Sequence, residues 1–205
     1  MKYEIVSTGS SGNCVIMCDG DVMIDCGVPY NKIKQHLYDV RYLLLTHIHT
    51  DHIRETTLQA IKKDFPKITI IGNHEVHQVH GVDIVANATY PIQVDGYTFE
   101  PFELVHDVLC YGFTFEYQGQ NIIYATDTSS MKNAPDKQYD YIFIESNHDE
   151  KKIEQILKSR KKFGYDAYGG AKRHLSTQEA KKFYYFHRRN KESKFIELHQ
   201  SSRFY

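Results

Sequence analysis

The sequence predicts one α/β domain, spanning residues 1–205, in which two β-sheets pack together with helices outside. Three observations predict it. Short strand patterns recur along the whole chain, helical patterns lie between them, and no repeat, low-complexity tract or long Pro/Gly linker marks a domain boundary. A chain of 205 residues can also bury a substantial single core. Periodicity alone does not order the strands within the sheets.

The first half of the chain alternates strands with two helices. Strand patterns cover about 2–7, 14–18, 21–25 and 42–46. A helical pattern runs from Tyr30 to Asp39, before the fourth strand. A second runs from Asp51 to Asp64, with apolar residues at helical spacing, and ends before Pro66.

The second half predicts a longer series of strands and one capped helix. Strand patterns cover 67–71, 97–105, 109–117, 120–126 and 140–145, with a hairpin turn at 118–120. Ser176-Thr177-Gln178-Glu179 is a capping box, which predicts a helix reaching about Arg189. A final strand is predicted over 194–198.

Composition excludes several classes of protein. Apolar residues make up 41% and charged residues 25% of the chain, as in ordinary globular domains. No apolar run is long enough for a membrane helix, and the N-terminus alternates like a strand rather than a signal peptide. We therefore expect a cytoplasmic protein. Its four cysteines are expected to be reduced, buried thiols.

Charge is unevenly distributed along the chain. Residues 1–150 hold 10 Lys/Arg against 21 Asp/Glu, a net −11, whereas residues 151–205 hold 15 against 5, a net +10. A basic C-terminal quarter suits a phosphate-bearing substrate. An ordinary solvated helix face would carry the same lysines, so both interpretations stay open.

Histidines indicate a metal site. There are twelve, and three of them lie in the run Thr46-His47-Ile48-His49-Thr50-Asp51-His52, directly after the apolar strand 42–45. In extended backbone His47 and His49 point the same way and can grip one metal. The chain then turns, so Asp51 and His52 can reach a second metal. Imidazole and carboxylate ligands suit zinc, and also manganese or iron. A histidine-rich polar loop without metal is the less favoured alternative.

This run matches the His-x-His-x-Asp-His signature of the metallo-β-lactamase superfamily, and the resemblance extends over essentially the whole chain. It implies a four-layer αββα sandwich. Asp25, in Ile24-Asp25-Cys26-Gly27, resembles the Asp that supports the ligands from behind. His106 matches the third ligand motif, and Asp127 matches the Asp that bridges both metals.

A late histidine completes the expected ligand set. Both His174 and His199 are candidates, and His199 fits better because it ends the strand 194–198. The two together resemble the phosphodiesterase branch of the superfamily, which includes the tRNA 3′-processing endonuclease. There a Glu orients an earlier His that protonates the leaving oxygen. The resemblance implies Glu145 and His174 for these roles and His199 as ligand; the reverse assignment of the two histidines stays open.

Within that branch the chain most resembles the small WalJ/YycJ-type hydrolases of bacteria and phages. The resemblance is carried by the loop 7–13, by Glu145-Ser146-Asn147-His148-Asp149 and by Arg173-His174-Leu175-Ser176, where Arg173 replaces the usual Gly. It implies a metal-dependent nuclease or phosphodiesterase, with double-stranded DNA exonuclease activity as the family expectation. His148 lies in the second motif, and an active-site role for it stays open.

Spacing between motifs predicts a minimal core. Twenty residues separate His106 from Asp127, enough for a hairpin but not for a tRNA-gripping arm. Forty-six separate Asp127 from His174, too few for a β-CASP domain. Secreted β-lactamases are disfavoured because they carry signal peptides and use a different late motif.

The resemblance implies hydrolysis of a phosphodiester by a hydroxide that bridges two divalent metals. His47, His49 and His106 are expected at one metal, Asp51, His52 and His199 at the other, and Asp127 at both. Basic and aromatic residues near His174 could contact a nucleic-acid strand or simply pack a loop: Arg160, Lys161, Lys162, Phe163, Tyr165, Tyr168, Lys172 and Arg173.

Three alternatives remain at this stage. The substrate could be a cyclic nucleotide or a cyclic ribose phosphate rather than nucleic acid, which the net charge of −1 mildly favours. The protein could be a non-catalytic binder. The stripe His74, His77 and His80 could hold a separate metal, although a solvated helix face is favoured. We also expect a nucleic-acid or nucleotide substrate and no membrane partner. A homodimer is a further possibility.

Overall fold

The computed structural model describes residues 1–158 and 173–201. It contains two six-stranded sheets, each in its own compact unit. The first unit comprises Met1–Ile92 and Val108–Tyr111, and the second comprises Gln93–Asp107 and Gly112–Tyr205. The single domain over 1–205 stays a prediction, and each unit is described by itself.

The first sheet runs in chain order. Its strands are β1 (Glu4–Ser7), β2 (Cys14–Met17), β3 (Val22–Ile24), β4 (Tyr42–Leu45), β5 (Thr69–Gly72) and β6 (Ile84–Val85). The first three pair antiparallel, and β3 to β6 pair in parallel. Every residue of β4 is buried, as expected for a central parallel strand whose two faces are both covered. The carboxyl ends of β3 and β4 therefore meet at one edge.

Three helices belong to this unit: α1 (Tyr30–Ile33), α2 (Glu55–Asp64) and α3 (His74–His80). The helix predicted from Tyr30 to Asp39 is shorter, and a separate 3-10 turn follows it at His36–Tyr38. The helix predicted from Asp51 begins at Glu55. Residues before it form a turn in which the N–H groups of His52 and Ile53 both donate to the carbonyl of His49.

A hydrophobic core stabilises the first unit. It contains the fully buried side chains of Met23, Leu43, Leu45, Leu58 and Ile61, among others. Burying each large apolar side chain contributes about 1.5–3 kcal/mol. All four cysteines of the chain are buried and unbridged, which confirms the prediction of reduced thiols.

The second sheet has the spatial order β12-β11-β10-β9-β8-β7. Its strands are β7 (Ile92–Val94), β8 (Tyr97–Leu104), β9 (Cys110–Tyr117), β10 (Gln120–Ala125), β11 (Tyr141–Glu145) and β12 (Lys194–Leu198). β9 and β10 pair antiparallel, whereas β10, β11 and β12 pair in parallel. The register places Glu145 opposite Leu198. The ends of these three strands therefore present their following residues at one edge.

The described residues of the second unit include the helices α4 (Glu150–Lys158) and α5 (Thr177–His187). The predicted helix start is confirmed with Ser176 as its N-cap, because the Ser176 hydroxyl accepts from the Glu179 N–H at 3.1 Å. Among the described residues, no helix has the length and apolarity needed to span a bilayer. The residues from Arg160 to Lys172 that were predicted to contact a nucleic-acid strand or to pack a loop lie outside the described residues.

Candidate active site

The histidine run follows β4 in the first unit. His47 is fully buried, and its Nε2 lies 3.0 Å from the Nδ1 of His49. The two rings meet edge to face, with centroids 4.7 Å apart. The alternation of side chains after a strand therefore brings two imidazole nitrogens together, as the sequence predicts. Such a pair can hold one divalent metal.

Asp51 and His52 occupy the turn after this pair. Their side chains approach each other, with His52 Nε2 3.8 Å from Asp51 Oδ2. His52 is fully buried, whereas the Asp51 side chain is 27% exposed. The chain turns here because the N–H groups of His52 and Ile53 bind the His49 carbonyl. After this turn the His52 imidazole and the Asp51 carboxylate face the same space.

Asp25 orients His52 from behind. Its Oδ2 lies 2.7 Å from His52 Nδ1, and it accepts from the Thr46 N–H and hydroxyl at 2.9 Å each. Burial raises the pKa of the Asp25 carboxyl, while its bonds to His52 and Thr46 act in the opposite direction. An ionised carboxylate only accepts, so His52 donates through Nδ1 and keeps a lone pair on Nε2 for a metal.

Two residues of this region were not among the predicted site residues. The amide nitrogen of Asn13 lies 2.8 Å from His52 Nε2, and its backbone N–H donates to the Asp51 carbonyl at 2.7 Å. Cys110 Sγ lies 3.6 Å from His47 Nδ1. The sequence signal for Asn13 is its position at the end of the loop 7–13, one of the segments that carry the family resemblance. Cys110 has no local signal, because it comes from a distant strand.

Gly27 allows the chain to approach the Asp51 backbone. A Cβ built on Gly27 would lie 1.7 Å from the Asp51 carbonyl oxygen and 2.3 Å from its carbon. Both contacts are far inside van der Waals distance, and both involve backbone rather than a flexible side chain. Any larger residue must therefore push the Asp51–His52 turn away.

We expect Gly27→Ala to destabilise the protein by about 3 kcal/mol and to weaken metal binding, because overpacked backbone must move. Urea unfolding with and without added zinc measures both effects. Gly9→Ala is the comparison: Gly9 has a positive φ of 108°, which Gly27 does not have, and nothing lies within 4 Å of its Cβ position. Gly9→Ala therefore reports backbone strain without a steric clash. Wild-type stability and metal binding in Gly27→Ala would contradict the close approach to Asp51.

The second unit gathers four of the predicted residues at one sheet edge. Asp127, Glu145, His174 and His199 each offer one donor atom, and these atoms all lie within 4.8 Å of one another. His199 Nε2 is 3.5 Å and His174 Nδ1 is 3.9 Å from Asp127 Oδ1. The rings of the two histidines stack at 5.0 Å. The parallel pairing of β10, β11 and β12 produces this cluster from distant segments.

Glu145 is the centre of the cluster. It is fully buried, and its Oε2 accepts from the backbone N–H groups of Thr128 and Leu175 at 2.7 and 3.3 Å. Its Oε1 lies 2.6 Å from His174 Nδ1 and 3.0 Å from His199 Nδ1. One carboxylate therefore sets the tautomer of both rings and directs both Nε2 atoms away from itself.

His174 is held ready to carry a proton. Burial acts to lower its pKa, but the hydrogen bond and charge of Glu145, with the charge of Asp127, outweigh burial and raise the pKa above its ordinary value. Its side chain is 22% exposed, against 8% for His199. Of the two histidines, His174 is thus the one that solvent and substrate can reach.

Backbone strain marks three of the predicted site residues. Asp25, Asp127 and His199 have positive φ angles of 59°, 52° and 52°, although none is glycine. Each follows a strand end, where the left-handed conformation turns the side chain out of the sheet. Such conformations cost on the order of 1–3 kcal/mol and tend to lie at functional sites.

Two further predicted residues, His106 and His148, belong to the second unit. His106 lies beside the cluster, with its ring centroid 6.2 Å from that of His174, and its Nε2 is 3.1 Å from Asp107. His148 is buried and forms a backbone bridge to Ser176, and burial lowers its pKa. It is not one of the four clustered donors, so its active-site role stays a prediction.

Asn147 is another residue that was not predicted for the site. Its amide donates to the His199 carbonyl at 2.8 Å and so holds the strained backbone there. In the first unit, the His74 and His77 side chains are exposed and His80 pairs with Glu55 at 2.5 Å. The favoured interpretation as a solvated helix face therefore holds for His74 and His77, whereas the His80 side chain is only 10% exposed.

Replacement of Glu145 tests its central position. In Glu145→Gln an amide N–H must face either the two backbone donors or the two imidazole donors, so we expect a loss of about 1–3 kcal/mol in stability and a slower reaction. Urea unfolding and kcat measure the two effects. Glu116→Gln, on the exposed side of β9, is the matched control. Wild-type stability and rate in Glu145→Gln would contradict its orienting role.

A family model described as the metallo-beta-lactamase superfamily matches residues 7–166 of the chain. No curated protein sequence matches it. The match spans more than half of the chain and includes the histidine run, Asp127 and Glu145.

Several solved structures are similar over almost the whole chain. The metallo-beta-lactamase fold protein YhfI from Bacillus subtilis aligns with a TM-score of 0.69 and 16% identity, over 98% of this chain and 86% of its own. The short form of human tRNase Z aligns with a TM-score of 0.70 and 16% identity, over 99% and 93%. A diphosphatase from the PhnP family aligns with 0.65 and 17%, over 98% and 86%. At such identities the likeness shows the fold, and it confirms the predicted fold class.

Proposed function

Since the chain belongs to the metallo-beta-lactamase superfamily, we propose that it is a binuclear-metal phosphodiesterase and, more narrowly, a nuclease. Membership makes it a metal-dependent hydrolase. The proposal adds the phosphodiester bond and the polymeric substrate.

The observation that carries the proposal is the sharing of Glu145 by two histidines. Glu145 Oε1 meets the Nδ1 atoms of both His174 and His199. A single buried carboxylate thus prepares one imidazole to bind a metal and the other to donate a proton. Opening a thioester does not require this second, protonated imidazole, because a thiolate leaves readily, whereas expulsion of a poor alkoxide leaving group does.

The donor chemistry fits divalent metals. The candidate ligands are imidazole nitrogens and carboxylate oxygens, brought together in each unit by the contacts described above, and these atoms suit zinc, with manganese or iron as alternatives. When bound, two such cations supply a nucleophile from water at neutral pH and stabilise charge on the phosphoryl oxygens. We assign as ligands His47, His49, Asp51, His52, His106, Asp127 and His199.

The protein's own groups then act on the substrate. His174 Nε2 faces away from Glu145 and donates a proton to the departing oxygen, while Glu145 stabilises the imidazolium before transfer. Asp25 and Glu145, both fully buried, hold the imidazoles of His52 and His199 in fixed tautomers. Orientation by buried carboxylates reduces the reorganisation needed when the reaction occurs.

Two of the similar structures support this substrate class. One is a tRNase and the other a diphosphatase, so both act on bonds to phosphorus. A second candidate function is hydrolysis of a small cyclic nucleotide or cyclic ribose phosphate. The net charge of −1 favours it, because strong nucleic-acid binders are usually more basic.

A substrate panel tests the proposal. Protein loaded with zinc or manganese is offered linear duplex DNA, single-stranded RNA and DNA, cyclic mononucleotides and a generic bis-aryl phosphodiester. Cleavage of polymers supports the nuclease, and cleavage of cyclic mononucleotides alone supports the second candidate. Protein that holds no stoichiometric metal by elemental analysis and cannot be loaded would rule out both functions.

A further inference from the structure

The solvent-facing side of α5 carries two large aromatic rings. Tyr185 is 63% and Phe186 is 71% exposed. Other exposed large apolar residues of the described chain stand singly, and no other two are neighbours in sequence. Single exposed apolar residues are normal, but a pair on one helix face suggests a contact surface.

These rings do not pack the helix onto its sheet. The packing side of α5 is formed by the buried residues Ala180 and Phe183. Tyr184 is also engaged internally, because its hydroxyl donates to the Ser193 carbonyl at 2.9 Å. The Tyr185 ring meets the Tyr184 ring edge to face at 5.3 Å, but most of Tyr185 and Phe186 faces solvent.

Cations surround the two rings. Lys181 and Lys182 are exposed and lie one helical turn before Tyr185 and Phe186, so each precedes a ring at the i,i+4 spacing that makes helix neighbours. The guanidinium of Arg188 lies over the Tyr185 ring, 4.9 Å from its centroid. We call Lys181, Lys182, Tyr185, Phe186 and Arg188 the α5 patch.

The segment around the patch has a positive balance. From Thr177 to Lys194 the chain holds six Lys/Arg and two Glu. Lys182 pairs with Glu179 at 3.7 Å, but both side chains are more than half exposed, so this pair contributes little. Arg189, just beyond the patch, pairs with Asp140 at 3.3 Å. Three of the six cations (Lys181, Lys182 and Arg188) belong to the α5 patch, and both lysines are exposed.

We infer that the α5 patch binds a single strand of nucleic acid, with bases stacked on Tyr185 and Phe186 and phosphates beside the cations. Interleaved rings and cations are the pattern of single-strand platforms, where rings accept any base and cations follow the backbone. A duplex keeps its bases stacked inside and cannot use exposed rings in this way. The inference rests on the proposed function and narrows its substrate to single-stranded polymers.

The position of the patch predicts a dependence on substrate length. Phe186 lies nine residues after Thr177, which corresponds to roughly 14 Å along the helix. His174 precedes the start of that helix. A dinucleotide at His174 is too short to reach the patch, whereas a longer strand can contact both.

Binding of a fluorescent single strand of about 16 nucleotides, with phosphorothioate linkages that resist cleavage, tests the patch directly on metal-loaded protein. We expect the double variant Tyr185→Ala/Phe186→Ala to bind roughly 10- to 100-fold more weakly. The double variant Tyr38→Ala/Tyr90→Ala is the matched control, since these rings are 69% and 67% exposed in the first unit. Equal affinities in the two double variants would overturn the inference.

Salt dependence provides a second measurement. Arg188→Gln should reduce the slope of log affinity against log salt by about 0.7, the value for one phosphate contact on a single strand. An unchanged slope would contradict a phosphate contact at Arg188. If the patch variants alter the mass of the particle in light scattering and not strand binding, the face joins copies of the chain and the inference is wrong.

Turnover of two substrates separates this inference from the proposed function. The patch variants should keep wild-type kcat/KM on the bis-aryl phosphodiester and on a dinucleotide, and raise KM only on the long strand. Wild-type protein that cleaves no phosphodiester but loses strand binding in the patch variants would refute the nuclease and leave the patch standing. Wild-type protein that cleaves phosphodiesters, with patch variants that bind the strand as tightly as wild type, would refute the patch and leave the nuclease standing.

Discussion

Asp127→Ala is expected to lose bound metal and, with it, all measurable phosphodiesterase activity. Asp127 Oδ1 faces His199 Nε2 at 3.5 Å. We propose from the family resemblance that Asp127 is the ligand shared by both metals. Replacement of residues that merely orient ligands costs 10- to 100-fold in metal affinity, so loss of a shared ligand should exceed about 100-fold. Elemental analysis after dialysis and turnover of the bis-aryl phosphodiester measure the two losses.

Two variants control this experiment. Asp136→Ala removes a carboxylate whose side chain is 99% exposed and should keep both metal and activity. Asp127→Asn retains a residue that tolerates the positive φ of this position, so it separates the loss of the carboxylate from the backbone strain that Ala adds there. Full metal content and activity in Asp127→Ala, with an intact fold by circular dichroism, would exclude Asp127 from the metal centre.

His174→Ala is expected to keep its metal and to lower kcat by about 10²–10⁴, the usual contribution of a general acid. Its Nδ1 is bound to Glu145 at 2.6 Å, its pKa is raised by the neighbouring carboxylates, and it is the more exposed histidine of the cluster. The defect should depend on the leaving group. Aryl oxides leave without a proton, so a bis-aryl phosphodiester should be affected less than a nucleic acid.

The paired variant His199→Ala makes this test decisive for the assignment of the two histidines. We expect His199→Ala to lose metal, because Glu145 holds its Nδ1 and leaves Nε2 facing Asp127. Metal lost in His174→Ala and retained in His199→Ala would reverse the roles. An equal defect of His174→Ala on aryl and nucleoside leaving groups would show that His174 does not act as the acid.

Some expected elements differ from those in the structure, for identifiable reasons. The second helix starts at Glu55 because the His49 carbonyl takes two N–H groups in a turn, and a helical apolar pattern cannot reveal that turn. The strands β6 and β7 were missed because they are only two and three residues long, too short for alternation to be recognised. The longer, buried strands were predicted correctly, since apolar runs bounded by turn residues signal them.

The sequence by itself determined the local part of the candidate site. His47 and His49 converge because side chains two apart in extended backbone share a direction, and this needs no distant contact. The resemblance in motifs supplied the family, which the match over residues 7–166 shows. It also supplied Glu145, His174 and His199 as candidates, although nothing local connects positions so far apart.

Only the tertiary structure decided how those distant residues share one carboxylate. Parallel pairing of β10, β11 and β12 brings the strand ends to one edge, where Asp127 and His199, both at positive φ, lie in one cluster with Glu145. Asn13 likewise reaches His52 only through folding. Register and left-handed conformations depend on long-range packing, which a one-dimensional pattern of residues does not contain.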